Sequence, residues 1–365
     1  MRSASNRGSR EAYVTLVFSR RYGEAVTAWE TDVLPGYQQT TIELGADPDG
    51  EGDLVATLVR RGDSGRAARA VLAVHGYTDY FFNTELANRF TDRGIAFYAL
   101  DLHKCGRSWR EGQTPHFTTD LSRYGAELER ALTVIAAETG EAQVYIYGHS
   151  AGGLIVTLWL DRVRQRGLTA VFRISGLILN SPFFDLQGPA ILRAAPTSAA
   201  LRALARVRKM TVVRKPTPGG YGTTLHRDYA GEFEYDLTWK PLGGFPVTFG
   251  WINAVRRGHA RLHRGLDVGV PNLILRSDHS VAEPRGSADP NAIAHGDAVL
   301  DVHQIARWAG CVGNHTTVAP IIDAKHDVFL SVSESRSVAY RELDRWLDRQ
   351  LEAQKHQRTT QSEQG

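Results

Sequence analysis

Tyr147-Gly148-His149-Ser150-Ala151-Gly152-Gly153 follows Gln143-Val144-Tyr145-Ile146, a short β-branched and aromatic run. Behind it Leu154, Ile155, Leu158, Trp159 and Val163 repeat at helical spacing. A serine between glycines two before and two after it, on a sharp strand-to-helix turn, pushes its hydroxyl out above a sheet at a helix N-terminus. With 35 glycines in 365 residues, the bare Gly-x-Ser-x-Gly pattern is expected roughly 0.2 times per chain by chance. The flanks raise it above that background and make Ser150 a candidate nucleophile.

Working outward, 40–44, 54–61 and 69–74 read as strands, and then strands and helices alternate: helix 85–93, strand 96–100, helix 120–138, strand 144–147, helix 153–166, strand 175–180. Alternation of this kind implies a mostly parallel, doubly wound α/β sheet. It stops from Phe183 to about Leu266 and resumes with strands at 271–276 and 317–322 and a closing amphipathic helix over 333–351. The domain reading is therefore a polar, disordered N-terminus at 1–12, a core at 13–182, an inserted helical cap at 183–266, the rest of the core at 267–351, and a disordered tail at 352–365.

Composition bounds the rest. The chain is 42% hydrophobic, with 43 basic and 40 acidic residues and a net charge of +3. That balance gives no reason to expect nucleic acid. The two cysteines, Cys105 and Cys311, form neither a disulfide framework nor a zinc pattern and suggest a reducing compartment. No apolar stretch approaches the ~18 residues of a membrane span, and the Arg-rich start lacks a signal region. The expectation is a soluble, cytoplasmic protein.

A serine hydroxyl needs a histidine to take its proton and a carboxylate to orient that histidine, and the sheet order asks for serine, acid and histidine in turn. Of 13 histidines, His326 sits just past the last strand, before the closing helix. His75 and His149 read as structural neighbours. Asp278, Asp297 and Asp301 all follow the strand at 271–276, and the Gly/Pro/Asp-rich stretch 282–296 looks like a loop insertion. Asp297 ranks first as the acid, Asp278 stays open, and Asp301 reads as a helix cap. Backbone N–H groups of Ala151 and of Tyr77, in the loop His75-Gly76-Tyr77, are the candidate oxyanion donors. Gly62-Asp63-Ser64-Gly65 imitates another serine motif but reads as a hairpin turn.

Together these residues resemble the α/β-hydrolase superfamily, in its monoacylglycerol lipase, lysophospholipase and serine aminopeptidase-like branch, over roughly 41–351. The likeness rests on His75-Gly76, Gly148 to Gly152, the "D-x-hydrophobic-hydrophobic" segment at 297–300, and His326. Asp101-Leu102-His103-Lys104-Cys105-Gly106-Arg107-Ser108 is similar to a family segment written D-x-R-G-H-G-x-S, with His103, Lys104 and Cys105 replacing its arginine, glycine and histidine. The resemblance implies an α/β-hydrolase fold and a cofactor-free serine hydrolase acting on a small acyl ester such as a lysophospholipid or monoacylglycerol. An aminopeptidase, amidase, thioesterase or noncatalytic ligand-binding relative is the alternative. No acidic residue occurs between Asp185 and Asp228, where eight basic residues do. Leu201, Leu204 and Val207 interleave with Arg202, Arg206 and Arg208. This reads as a cap helix with a solvated basic face, its apolar side packed on the core. The alternative is an amphipathic helix able to touch an anionic membrane transiently. Trp251, Ile252, Val255 and Leu262 suggest a second cap helix that either walls an acyl pocket or docks on the body.

Overall fold

The computed structural model describes residues 28–363, apart from 63–64, 66, 141, 217–218 and 282–288. Strands β1 (Glu30–Thr31), β2 (Tyr37–Ala46), β3 (Asp53–Arg61) and β4 (Arg69–Val74) precede helix α1 (Thr84–Thr91) and β5 (Ala96–Asp101). Then come α2 (Tyr124–Thr139), β6 (Gln143–His149), α3 (Ala151–Gln165) and β7 (Ile174–Asn180). Among the described residues these join β10 and β11 in a nine-stranded sheet of order β1-β2-β3-β5-β4-β6-β7-β10-β11, where β10 is Asn272–Ser277 and β11 is Thr316–Ile321. The first four strands in that order pair antiparallel, and the pairing is parallel from β5 to β11.

Alternation along each strand divides the core between two faces. Leu72, Ile146, Leu177 and Ile274 pack with Leu132 of α2 and Trp159 of α3. Their neighbours Val71, Tyr145, Ile178 and Leu273 pack on the other side with Phe90 of α1 and Trp346 of α8 (Ser333–Glu363). Because β4 is flanked by β5 on one side and β6 on the other, the chain reverses direction across the sheet there. The loops leaving β4 and β6 therefore meet at the point where the strand order switches, the position where open α/β sheets bind ligands.

Between β7 and β10 lie α4 (Ala195–Val207), β8 (Val212–Arg214), the 3-10 turn Gly220–Thr224, β9 (Val247–Thr248) and α5 (Phe249–Leu262). Ala205 of α4 is buried, but Leu204 and Val207 are exposed, at 41% and 78%, so the apolar side of this helix is not fully packed on the core. In α5, Val255 and Leu262 dock on the body.

Two expectations are corrected. The segment after β3 is not a hairpin, because β3 and β4 lie on either side of β5; Asp63 and Ser64 themselves fall outside the described residues. The closing helix does not stop at Leu351 but runs to Glu363, so the tail is helical through that residue. Its Glu, Ala, Gln, Lys and Arg residues are good helix formers, and it has no proline or glycine before Gly365. The N-terminal 1–12 lies outside the described residues. No helix among those described is long and apolar enough to cross a membrane.

Candidate active site

Ser150 closes β6 and caps α3 with φ 50° and ψ −118°, a conformation that costs a non-glycine residue free energy unless its surroundings hold it. Three backbone bonds do so: Ser150 N donates to Asn180 O at 3.0 Å, and Ser150 O accepts from Leu154 N at 3.3 Å and Phe183 N at 2.9 Å. The flanking glycines are required by space. A Cβ on Gly152 would stand 2.2 Å from His75 O, and one on Gly148 2.8 Å from Gly153 Cα. A Cβ on Gly76 would stand 2.9 Å from Ser150 Cβ, so the β4 loop lies directly against the serine.

His326 occupies the loop after β11, before the 3-10 turn Val328–Leu330. Its Nδ1 is 2.9 Å from Asp297 Oδ2, and both residues are buried. Asp297 Oδ1 accepts from Val299 N and Leu300 N, each at 2.8 Å. A carboxylate so held keeps Nδ1 protonated and leaves Nε2 with the lone pair. That Nε2 is buried and has no hydrogen-bond partner. The chain brings Asp297 there because the excursion after β10, which carries the short helix α6 (Pro290–Ala294), closes on itself: Asp297 N donates to His279 O at 3.1 Å and Val281 N to Asp297 O at 2.9 Å. Asp278 instead is bonded to the exposed His279 ring and to Asp323 N, and Asp301 caps α7 (Val302–Trp308) by accepting from His303 N.

Ala151 opens α3, so its N–H is among those with no partner inside the helix. Tyr77 is anchored by its hydroxyl on Pro246 O at 2.6 Å and by its ring against Trp251, 4.1 Å between centroids. Ser150, His326, Ala151 and Tyr77 all border one cavity of about 460 Å³. Phe183, Leu225, Phe245, Trp251, Ile252 and Leu300 supply apolar wall, while Arg214, Lys215 and Lys240 supply positive charge. The α5 helix thus both walls the cavity and docks on the body.

Several site residues escaped the sequence reading. Asp79 pairs with Lys240 at 2.6 Å beside the cavity. Burial opposes ionisation of its carboxyl, but Lys240 and the nearby His149 and His75 hold the pKa at about 2. Asn180 donates to Asp327 Oδ1 at 2.6 Å and to Tyr147 Oη at 2.9 Å, and accepts from Val328 N at 3.2 Å. Tyr221 accepts from Asp327 N at 3.0 Å and lies edge-on to the His326 ring. Asn180 ends a strand beside the one that leads to Ser150, a signal that could have been used; Lys240 and Tyr221 come from a segment without periodicity. His75 and His149 serve the frame: His75 Nε2 accepts from Leu102 N, and His149 Nδ1 donates to Asn180 O. Burial holds the His149 pKa below its usual value.

The family model for "Serine aminopeptidase, S33" matches residues 65–296. The chain belongs to this hydrolase family. Its fold is that of the α/β-hydrolases, and solved structures agree. A soluble variant of monoglyceride lipase from Saccharomyces cerevisiae in complex with a substrate analog is 15% identical, with 88% of this chain and 94% of that one covered at a TM-score of 0.54. A thermostable carboxyl esterase from Bacillus coagulans is 13% identical, with 86% and 99% covered at 0.57. A lipase in open form is 16% identical, with 86% and 99% covered at 0.55. None of the curated proteins matches.

Within this hydrolase the unusual segment Asp101–Ser108 is a structural knot. His103 Nδ1 is 2.6 Å from Glu127, Lys104 Nζ reaches Asp47 and Glu51 at 2.6 Å each, and Arg107 is held between Asp32 and Asp101. Cys105 Sγ lies 3.2 Å from His116 Nδ1. Burial pushes that thiol well up and the His116 imidazole well down, so both stay neutral. Each replaced family residue has its own buried partner.

Proposed function

We propose that the protein is a serine hydrolase that cleaves carboxylic esters of lysophospholipid or monoacylglycerol type through an acyl-enzyme. Nε2 of His326 takes the proton of Ser150 Oγ as that oxygen bonds to the ester carbonyl carbon. The N–H groups of Ala151 and Tyr77 meet the charge that develops on the carbonyl oxygen. Collapse of the adduct expels the alcohol, protonated by His326, and water then repeats the sequence to release the acid. Asp297 fixes the His326 tautomer and stabilises the imidazolium.

One observation carries this reading: the buried, unpartnered Nε2 of His326, on a ring oriented by Asp297, borders the same cavity as Ser150. The apolar wall suits an acyl chain, and Arg214 and Lys215 suit a phosphate-bearing headgroup. A peptide's free amine would need a carboxylate, and Asp79, which borders the cavity, is already matched by Lys240. The exposed Leu204, Val207, Val212 and Val213 beside Arg206, Arg208 and Arg214 support transient contact with an anionic lipid surface. The free thiols of Cys105 and Cys311 fit a cytoplasmic setting.

A fluorophosphonate probe on wild type and Ser150→Ala, followed by hydrolysis of p-nitrophenyl esters and lysophospholipids, tests the proposal. Labelling that requires Ser150 is expected. Undiminished hydrolysis by a folded Ser150→Ala variant refutes it.

A further inference from the structure

A second cavity, of about 570 Å³, lies against another face of α5. Asn253, Arg256, Arg257 and Ala260, at i, i+3, i+4 and i+7, turn one stripe of the helix toward it, whereas Trp251 and Ile252 border the acyl cavity. Arg193 and Arg202 enter from the α4 side, and Arg307 from the end of α7. Five arginines and one carboxylate, that of Asp185, therefore border this cavity.

Asp185 cannot neutralise them. It accepts from Trp308 Nε1 at 3.2 Å and from Leu186 N at 2.8 Å, and it stands 3.9 Å from both Arg193 Nε and Arg256 Nη1. Arg257 leans outward, donating to Thr119 O at 2.7 Å and lying 3.7 Å from Asp120. Among the described residues Arg202 and Arg307 pair with no carboxylate, and Arg307 is held over the Trp308 ring at 4.8 Å. That ring is itself stacked on His263 at 3.6 Å, which fixes one wall. His259, 1% exposed, also borders the cavity. Its Nε2 donates to Phe183 O at 2.8 Å, leaving Nδ1 a buried acceptor without a hydrogen-bond partner. The planar donors of Arg202 and Arg307, unmatched by any carboxylate among the described residues, suit the oxygens of a phosphate group.

We propose that this cavity is a binding site for a phosphate group carrying two or more negative charges, separate from the site that holds Ser150. The group is either that of a soluble diphosphate or the headgroup of an anionic phospholipid such as phosphatidic acid.

The test uses the full chain, the variant R202Q/R307Q, and R345Q/R349Q as a control that removes two exposed arginines from α8. Calorimetric titration with inorganic pyrophosphate is expected to show one site in wild type and in the control. In R202Q/R307Q affinity is expected to fall about tenfold or more. Sedimentation with phosphatidylcholine vesicles, with and without phosphatidic acid, separates the sources. Capture by phosphatidic acid that R202Q/R307Q loses and the control keeps assigns the lipid headgroup. Pyrophosphate binding without such capture assigns the soluble anion. If pyrophosphate does not bind and no capture depends on Arg202 and Arg307, or if R202Q/R307Q binds like wild type, the proposal is overturned.

Discussion

Replacing Asp297 by Asn exchanges one oxygen for an amide nitrogen at a fully buried position and keeps the side chain's shape. The Asn carbonyl oxygen can keep the two 2.8 Å bonds from Val299 N and Leu300 N. Its NH₂ then faces His326 Nδ1, 2.9 Å from the atom it replaces. Two donors cannot share that contact, so the ring moves its proton to Nε2, the nitrogen that should accept from Ser150. The same exchange costs on the order of 10⁴ in turnover in a serine protease triad, or about 5 kcal/mol of barrier. Stability should change far less, by about 1–2 kcal/mol, because only the charge assistance is lost. Turnover of a p-nitrophenyl ester should fall by that factor in Asp297→Asn while urea midpoints move little. Asp278→Asn and Asp301→Asn should stay near wild type, the latter because Asn caps a helix as Asp does. Loss of activity in Asp278→Asn with normal turnover in Asp297→Asn refutes the assignment.

Ser150→Ala and His326→Ala should each abolish ester hydrolysis, and the double variant should be no worse than either, since such residues act as a unit; a further drop as large as the first would mean that they act independently. Gly152→Ala drives a Cβ to 2.2 Å from His75 O and should lower stability by about 3 kcal/mol or more with loss of activity, whereas Gly310→Ala, with open space around it, should be neutral by thermal melting. Equal melting temperatures for these two variants would remove the steric account of the elbow. Burial pushes Lys325 from 10.5 to about 8, so between those pH values the native state holds fewer protons than the unfolded chain and gains stability as pH rises. The wild-type minus Lys325→Met difference in unfolding free energy should therefore climb across that window, by at most about 1.4 kcal/mol per pH unit, and a flat difference counts against it.

Most of the sheet was legible because its strands are buried on both faces and read as unbroken apolar runs; β4 spans Arg69–Val74, as the sequence suggested. Asp297 could be ranked from sequence as a candidate acid because the insertion after β10 leaves composition as its mark, and the structure brings Ser280 and Asp297 together at its ends. Legibility failed where contacts join distant segments without periodicity. Lys240 meets Asp79 across 161 positions, and the arginine cavity draws on α4, α5 and α7 at once. The false hairpin after β3 has the same origin. Turn residues announce a reversal, but only pairing reveals that β5 has entered between the two strands.

Asn180 shows how strand order becomes site geometry, and it supports a prediction that touches no proposed catalytic atom. It ends β7, between the strand that delivers Ser150 and the one that leads to Asp297. Its carbonyl receives Ser150 N, while its side chain binds Tyr147, Asp327 and Val328 and so fixes the loop that carries His326. Asn180→Ala keeps the backbone bond to Ser150 but strands buried partners, each worth about 1–3 kcal/mol. Asp327 Oδ1 still accepts from Phe329 N, so a total near 3 kcal/mol is expected. Asn180 does not border the cavity that holds Ser150 and His326, so substrate binding should be spared. The expected signature is a fall in kcat at nearly constant KM, together with the stability loss. If the variant loses stability but turns over like wild type, the His326 loop is positioned by something other than Asn180.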